Sequence, residues 1–247
     1  MSLALYDLEG RDGRRTSPFC WRTKYALAHK GLAAADRPVG FGEIALIGDG
    51  AFRTVPVLDH DGRLVGDSWR IALYLDEHFP ETAPLFPNAD ALAYAQFVEK
   101  WLFAQIFTAM FPAMMICVHD HARAEDQAYV RKSREARLGM TLEEAARRGA
   151  EGMGAMTVAL EPLRAKVKDT PFLCGTRPGY ADYVALSVFL WARLPPETAF
   201  HPRRPGRRLD RPRPRPLWRP RTRLPRLRPG RLRRGAALTP TPRFPPA

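Results

Sequence analysis

Cysteine is scarce in this sequence: Cys20, Cys117 and Cys174 are the three in a chain of 247 residues. Their number is odd, their spacing is wide, and no Cys-x-x-Cys or Cys/His ligand spacing occurs. Neither a disulfide framework nor a zinc site is therefore expected. The N-terminus lacks a charged segment leading into an apolar core, so no export signal is read there. No apolar run approaches membrane-spanning length, and no internal repeat is visible. These absences predict a reduced, cytoplasmic chain with no membrane partner.

Lysine is missing after residue 200, and that absence helps to locate the charge. The whole chain carries a formal net +13. Residues 201–247 hold sixteen Arg and one acid, Asp210, a local net of +15 that leaves residues 1–200 at −2. The body is therefore nearly neutral, and nucleic acid is not an expected partner unless the tail is a genuine basic arm. The same tail holds twelve of the twenty-four prolines and no periodicity. Such a composition buries too little apolar surface to offset ordering entropy, so a disordered Arg/Pro-rich tail is expected over 194–247. Three origins stay open: out-of-frame translation of a GC-rich gene, a basic arm binding nucleic acid electrostatically, or an inert extension. Aromatics are sparse there (Trp218, Phe244), so base stacking has little to build on.

What is present is concentrated in the first eighty residues. Leu3-Ala4-Leu5-Tyr6 reads as a strand, Gly10 and Gly13 as a turn, and Ser17-Pro18-Phe19-Cys20-Trp21-Arg22-Thr23-Lys24-Tyr25-Ala26-Leu27 as a helix. Ser17 fits the N-cap and Pro18 the first helical position, while Lys30-Gly31 supplies a basic last turn and a terminating glycine. A hydroxyl at the positive end of a helix is an anion site, for a phosphate, a carboxylate or a thiolate. Arg37–Phe41 is weakly extended, and 42–53 gives at most a short helix broken by glycines. Thr54–Asp59 and Leu64-Val65, joined through Asp61-Gly62, make a hairpin. Pro56 cannot donate to a ladder, so it needs an edge position or a cis Val55–Pro56 bond. Asp67-Ser68 caps a helix to His78 whose apolar face is Trp69, Ala72, Leu73 and Leu75.

Pro80, Pro84 and Pro87 mark a linker, after which the pattern is all-helical. One long helix is expected over about 90–122, with Leu92, Phe97, Trp101, Ala104, Phe107 and Phe111 apolar and a kink at Pro112. A second is expected over roughly 125–168. Arg131, Lys132, Arg134, Glu135, Glu143 and Glu144 form its wet face, and Gly149, Gly152 and Gly154 weaken its middle. A turn at Phe172–Gly175 precedes a third helix from Tyr180 to near Trp191. The expected division is 1–82, 89–193 and the tail 194–247.

In this order, the Ser-x-x-x-Trp-Arg helix, Val-Pro strand, hairpin, Asp-Ser helix and all-α half resemble the soluble glutathione S-transferases. Ser17–Leu27, and Tyr129–Gly139 with Thr141-Leu142-Glu143-Glu144, are similar to the bacterial β-etherase and fungal serine-type branch. Tyr180-Ala181-Asp182-Tyr183 is similar to the start of the family's buried core helix. The resemblance covers residues 3–193. It implies an α/β thioredoxin-like N-terminal domain, an all-α C-terminal domain (incomplete here, since its end is replaced by Arg and Pro) and glutathione as co-substrate. It further implies that Ser17 stabilises the glutathione thiolate and that the Val55 backbone, with Pro56 cis, meets the cysteinyl unit. Asp67 and Ser68 would take the γ-glutamyl amine and carboxylate. A small hydrophobic or aromatic electrophile and a homodimer are implied as partners, and β-aryl ether cleavage is the narrower activity. Ser-x-x-x-Trp-Arg also resembles the zeta class, which implies a glutathione-dependent isomerase. From another class, a non-catalytic binding protein on this fold with a basic nucleic-acid-binding arm stays open.

Several residues carry competing readings. Tyr6, at the end of the first strand, is a rival activator by resemblance to other transferase classes. Cys20 is a packed core thiol or, less simply, a partner in a mixed disulfide. His119 and His121 are two apart and share no helix face, so they read as a solvated helix end. Met110, Met114, Met115 and Phe107 are core residues or the lining of a hydrophobic pocket.

Overall fold

Leu3, Ala4, Leu5 and Leu8 are all buried, as a strand covered on both faces requires. This strand, β1 (Leu3–Leu8), is central in the computed structural model, which describes residues 2–194 but no side chain at 151–155 or 157. The tail expected over 194–247 lies, from 195 on, outside the described residues. The sheet order is β2-β1-β3-β4, where β2 is Ala35–Val39, β3 is Val57–His60 and β4 is Arg63–Gly66. β1 runs parallel to β2 and antiparallel to β3, and β3 returns as β4 through Asp61 and Gly62, both at positive φ. Pro56 stands just before β3 with a cis Val55–Pro56 bond, so it asks nothing of the ladder.

Helix α1 (Pro18–His29) crosses from β1 to β2, and α2 (Ser68–His78) follows β4. Lys30 Nζ meets Asp76 Oδ1 at 2.8 Å and ties the two helices together. The result is a thioredoxin-like layer. On α2 the buried residues are Ser68, Ile71, Ala72, Tyr74 and Leu75, whereas Leu73, expected inside, is 39% exposed. The row i, i+3, i+4, i+7 starting from Ser68 is the one that faces inward, and Leu73 lies off it.

The second half is helical. α3 (Ala89–Leu102), a π turn (Phe103–Phe107) and α4 (Thr108–His121) follow one another without a loop. By length and composition this run could cross a membrane, which corrects the expectation that no segment approaches that length; it is half buried inside the protein, as a core helix is. The departure from α geometry lies one turn ahead of Pro112 rather than at it: the Thr108 N–H reaches back to the Phe103 carbonyl. Proline lacks the N–H that would bond the Thr108 carbonyl, and π turns are one way a helix absorbs such a defect. Phe97, one of the apolar residues of the expected helix, is 64% exposed, while Ala95, Val98, Leu102 and Ile106 are buried.

The expected helix over 125–168 is three: α5 (Gln127–Leu138), α6 (Leu142–Ala159) and α7 (Glu161–Asp169). Gly139, at φ +67, ends α5, and the Thr141 hydroxyl caps α6 by accepting the Glu144 N–H at 3.2 Å. The chain breaks there and not at Gly149, which is helical. A Cβ at Gly149 would lie 2.6 Å from the Ala113 nitrogen, so this glycine lets α6 close on α4. The last described helix, α8 (Tyr180–Trp191), begins where Asp182 accepts the N–H groups of Leu173 at 2.7 Å and Gly179 at 3.0 Å.

The two halves share a core. Tyr183 of α8 stacks on Tyr25 of α1, and its hydroxyl lies 2.7 Å from His29 Nδ1. Arg22 of α1, almost fully buried, pairs with Glu99 of α3. The Tyr180 hydroxyl donates to the Ser68 carbonyl at 2.8 Å.

Candidate active site

The N-terminus of α1 opens on a cavity of about 300 Å³ that both halves line. Ser17 is on its wall. The side-chain oxygen accepts the Cys20 N–H at 3.3 Å, which is the N-cap bond expected from sequence. An oxygen that accepts in a cap keeps its own hydrogen to donate. Ser17 is only 7% exposed, and its side chain also hydrogen-bonds the Cys20 thiol, so a bound thiolate competes with that sulfur more than with water. Val55 is also on the wall, and among the described residues no hydrogen bond engages its N–H or its carbonyl.

Pro56, Asp67 and Ser68 do not line this cavity. Asp67 Oδ1 accepts the N–H groups of Trp69 and Arg70, both at 3.0 Å, which leaves Oδ2 outside the cap. Asp67 holds φ +73, a conformation costly for a residue with a Cβ. Ser68 is buried behind it in the first turn of α2. Ser17 and Val55 are therefore brought to one cavity, and Asp67 and Ser68 to a separate helix start.

The rival residues are placed too. Tyr6 is not on the cavity, and its hydroxyl lies 3.0 Å from an Arg37 guanidinium nitrogen. Cys20 is 1% exposed; burial first, then the charge of Asp7, pushes its thiol well above the ordinary range, the reverse of a reactive thiolate. His121 lies between Arg14 and the Cys117 carbonyl, and His119 beside Asp120. Among the described residues no group of ligating side chains could hold a metal. Met110, Met114, Met115 and Phe107 are all buried in the core, and Met115 and Phe107 also line the cavity, so both readings hold for those two.

Away from Ser17 the wall is aromatic: Phe41, Phe103, Phe107, Phe111 and Trp191. Phe107 stacks on Trp191 with centroids 4.6 Å apart and on Phe103 at 4.9 Å. Three arginines complete the lining. Arg53 donates to the Gly50 and Phe52 carbonyls beside Val55, and Arg134 and Arg137 project from α5. Burial, together with the charge of Arg137, pulls the Arg134 guanidinium down from its ordinary value. Arg134 was expected on a wet face; it is half-buried on the cavity instead. None of these three arginines, nor Phe41 or Trp191, was singled out from sequence. Arg53 abuts the Thr-Val-Pro segment, and Arg134 and Arg137 stand three apart within the branch-like stretch, which were the available signals.

Two family models match the chain in order: a glutathione S-transferase N-terminal domain over residues 16–78 and a glutathione S-transferase C-terminal domain over 93–198. A probable glutathione S-transferase of rice, GSTU1, is 37% identical over 92 residues, which span 34% of this chain and 40% of that protein. The glutathione S-transferase-like protein ustS of Aspergillus flavus is 33% identical over 144 residues, 51% of this chain and 49% of that one. The chain thus matches about half or less of the length of these curated relatives. Glutathione transferase GSTFuA3 from Phanerochaete chrysosporium superposes with a TM-score of 0.71 at 25% identity, covering 78% of this chain and 85% of that one. The rice transferase OsGSTU1, solved with glutathione, superposes at 0.51 with 26% identity over 78% and 79% of the two chains. Two domain models in register over one thioredoxin-like and one helical half leave a single assignment: this chain belongs to the glutathione S-transferase family.

Proposed function

We propose that the chain is a glutathione transferase in which Ser17 stabilises the thiolate of glutathione for attack on a hydrophobic, aromatic electrophile. One observation carries the reading: Ser17 stands on the cavity wall with its oxygen accepting the cap N–H, and its hydroxyl hydrogen can turn from the Cys20 thiol to a bound thiolate. A free thiol has a pKa near 8.5, and each unit of lowering needs only about 1.4 kcal/mol. One hydroxyl hydrogen bond and the positive end of α1 are together of that size.

The N–H and carbonyl of Val55, unengaged among the described residues, suit the cysteinyl unit of the tripeptide, with Pro56 next to it at the edge of the site. Asp67 Oδ2 and the Ser68 end of α2 suit the γ-glutamyl amine and carboxylate. Arg53, beside Val55, suits the far carboxylate. In the reaction the thiol proton leaves to water and the sulfur forms a bond to the electrophilic carbon. The leaving group departs with the electron pair of the bond it breaks. In the narrower reading, the bond broken is an aryl ether next to a carbonyl and the leaving group is a phenolate. We read 1–82 and 89–193 as the two domains and the active species as a homodimer.

The test pairs the wild-type chain with Ser17→Ala. Glutathione at millimolar concentration raises the melting temperature of both. The thiolate absorbance of the complex is lost in the variant, and kcat/KM for an activated aryl electrophile falls by roughly 10- to 100-fold near neutral pH. Equal thiolate signals in the two proteins would remove Ser17 from this role. Glutathione returned unchanged beside a rearranged product would replace transfer by isomerisation.

A further inference from the structure

We propose that the α5 end of this cavity selects an aromatic acid: Arg134 and Arg137 take its carboxylate while its ring lies along the Phe41–Phe111 wall. The proposal rests on the reading of Ser17 as the thiolate site, and it specifies the class of second substrate for that site.

The first ground is charge without a counter-charge. Arg134 and Arg137 stand three apart on α5, one helical step that puts both on the same side, and both line the cavity. Among the described residues no Asp or Glu lines it. Glu135, between them in sequence, is held by Arg131 at 2.9 Å and the Leu142 N–H at 3.2 Å. Among the described residues Arg134 donates to the Ser133 hydroxyl at 3.1 Å and has the Tyr129 phenol nearby, neither of them a carboxylate. Nearby on the body, arginines find acids: Arg131 pairs with Glu135 and Glu143, and Arg123 with Glu9 and Glu43. Two neighbouring guanidiniums repel each other, and partial burial strengthens the repulsion. A carboxylate placed between them turns that cost into attraction, and its plane matches the guanidinium fork.

The second ground is what the charges rest on. The Arg137 guanidinium lies 4.5 Å from the Phe111 ring centroid, and that of Arg134 lies 5.8 Å from Phe41. Ring faces are the weaker substitute for an anion. They also place an apolar wall directly beside the cations, so a ligand with a ring next to a carboxylate meets both at once. Phe41 is held in position from the helical half, where Asp126 accepts its N–H at 2.8 Å.

The third ground is position. Arg137 also borders a second cavity of about 230 Å³, shared with Phe103, Phe107 and Phe111 but not with Ser17 or Val55. Arg137 thus stands at an end of the site that Ser17 and Val55 do not reach, with Arg134 one helical step before it, while Arg53 stands beside Val55. Glutathione has its own cation, and this pair is left for the other substrate.

The experiment uses the full chain saturated with glutathione and two probes of the same shape, cinnamate and its neutral amide, titrated by calorimetry at neutral pH. Cinnamate is expected to bind about tenfold or more tightly than the amide, a difference of one charge-assisted pair. In Arg134→Gln/Arg137→Gln the preference disappears while the melting shift given by glutathione stays. Arg137→Gln alone, at an exposed position, lowers the preference should the double variant fail to fold. Equal binding of the two probes by the wild type overturns the proposal. So does a double variant that keeps the preference, or one whose glutathione shift is lost. A wild-type chain that discriminates between the probes but shows no glutathione shift would sink the transferase reading and leave the anion site standing.

Discussion

The carboxylate of Asp126 accepts the backbone N–H of Phe41 at 2.8 Å, across the junction of the two halves. Its other oxygen takes the Gly42 N–H at the same distance, and the side chain is buried. An acid at the start of α5 therefore fixes the loop that carries one aromatic wall of the cavity. Gly40 belongs to the same contact, since a Cβ there would lie 2.5 Å from Asp126 Oδ2.

Asp126→Asn replaces one acceptor oxygen with a donor that faces an N–H. A buried donor left unpaired costs about 1–3 kcal/mol, so the melting temperature falls. Because Phe41 lies on the electrophile side, KM for that substrate rises while the melting shift given by glutathione persists. A variant with both constants unchanged would show that the loop holds itself.

Glu43 holds the same loop from below, accepting the Gly40 N–H at 2.7 Å and Arg123 at 2.7 Å. The Gly40 hydrogen bond, then the charge of Arg123, keeps its carboxyl below the ordinary 4.5. The folded value lies below the unfolded one, so the contribution of the anion is full above about pH 4.5. It drains away as the pH falls through the folded value. Melting curves of the wild type and Glu43→Gln should converge on acidification below that point. Curves that stay parallel would deny Glu43 this role.

Gly149→Ala sets helix propensity against packing. Alanine favours an α-helix over glycine by about 1 kcal/mol. Its Cβ would meet the Ala113 nitrogen at 2.6 Å and the Ala113 Cβ at 2.7 Å, and backbone cannot step aside as a flexible side chain can. Overpacking of this kind costs about 1–3 kcal/mol, so the variant should melt lower. A higher melting temperature would mean that α4 and α6 separate freely.

The three cysteines should be poor nucleophiles. Burial, then Asp182, pushes the Cys174 thiol up to about 12, although the residue is exposed; burial, then Asp120, takes Cys117 to about 11. Alkylation by iodoacetamide at neutral pH is expected to be slow at Cys174, to quicken by roughly tenfold per pH unit, and to reach Cys20 only on unfolding. Cys20→Ala should keep the turnover that Ser17→Ala loses. Rapid labelling of the native chain at Cys20 would reverse that order.

Local chemistry was the legible part of the sequence. The Ser17 cap, the Pro18 start, the Asp61-Gly62 hairpin and the Val55–Pro56 bond each depend on neighbours a few residues away, and each stands where the spacing put it. The helical half was read less well because its decisive contacts are distant. Leu73 and Phe97 are apolar and exposed, and nothing within their own helices says which face the other half covers. The break at Gly139 was written in Thr141, whose hydroxyl caps the next helix by accepting the Glu144 N–H, a signal that the run of glycines after it overshadowed. Ser17 and Val55 could be found by motif. Arg134 and Arg137 are hard to tell from a solvated face in sequence, since Phe41 of the first half and Phe111 of α4, both distant along the chain, make that side of α5 a wall.

Helices α1 and α8 lie against one another through Tyr25, His29 and Tyr183, and they bring Ser17 from the first half and Trp191 from the last described helix to one cavity. A graft that exchanged the helical half at the linker would therefore carry off half the seating of the activating helix. For recombination between relatives, the smallest transferable cassette is discontinuous: α1 must travel with the α8 that grew up against it.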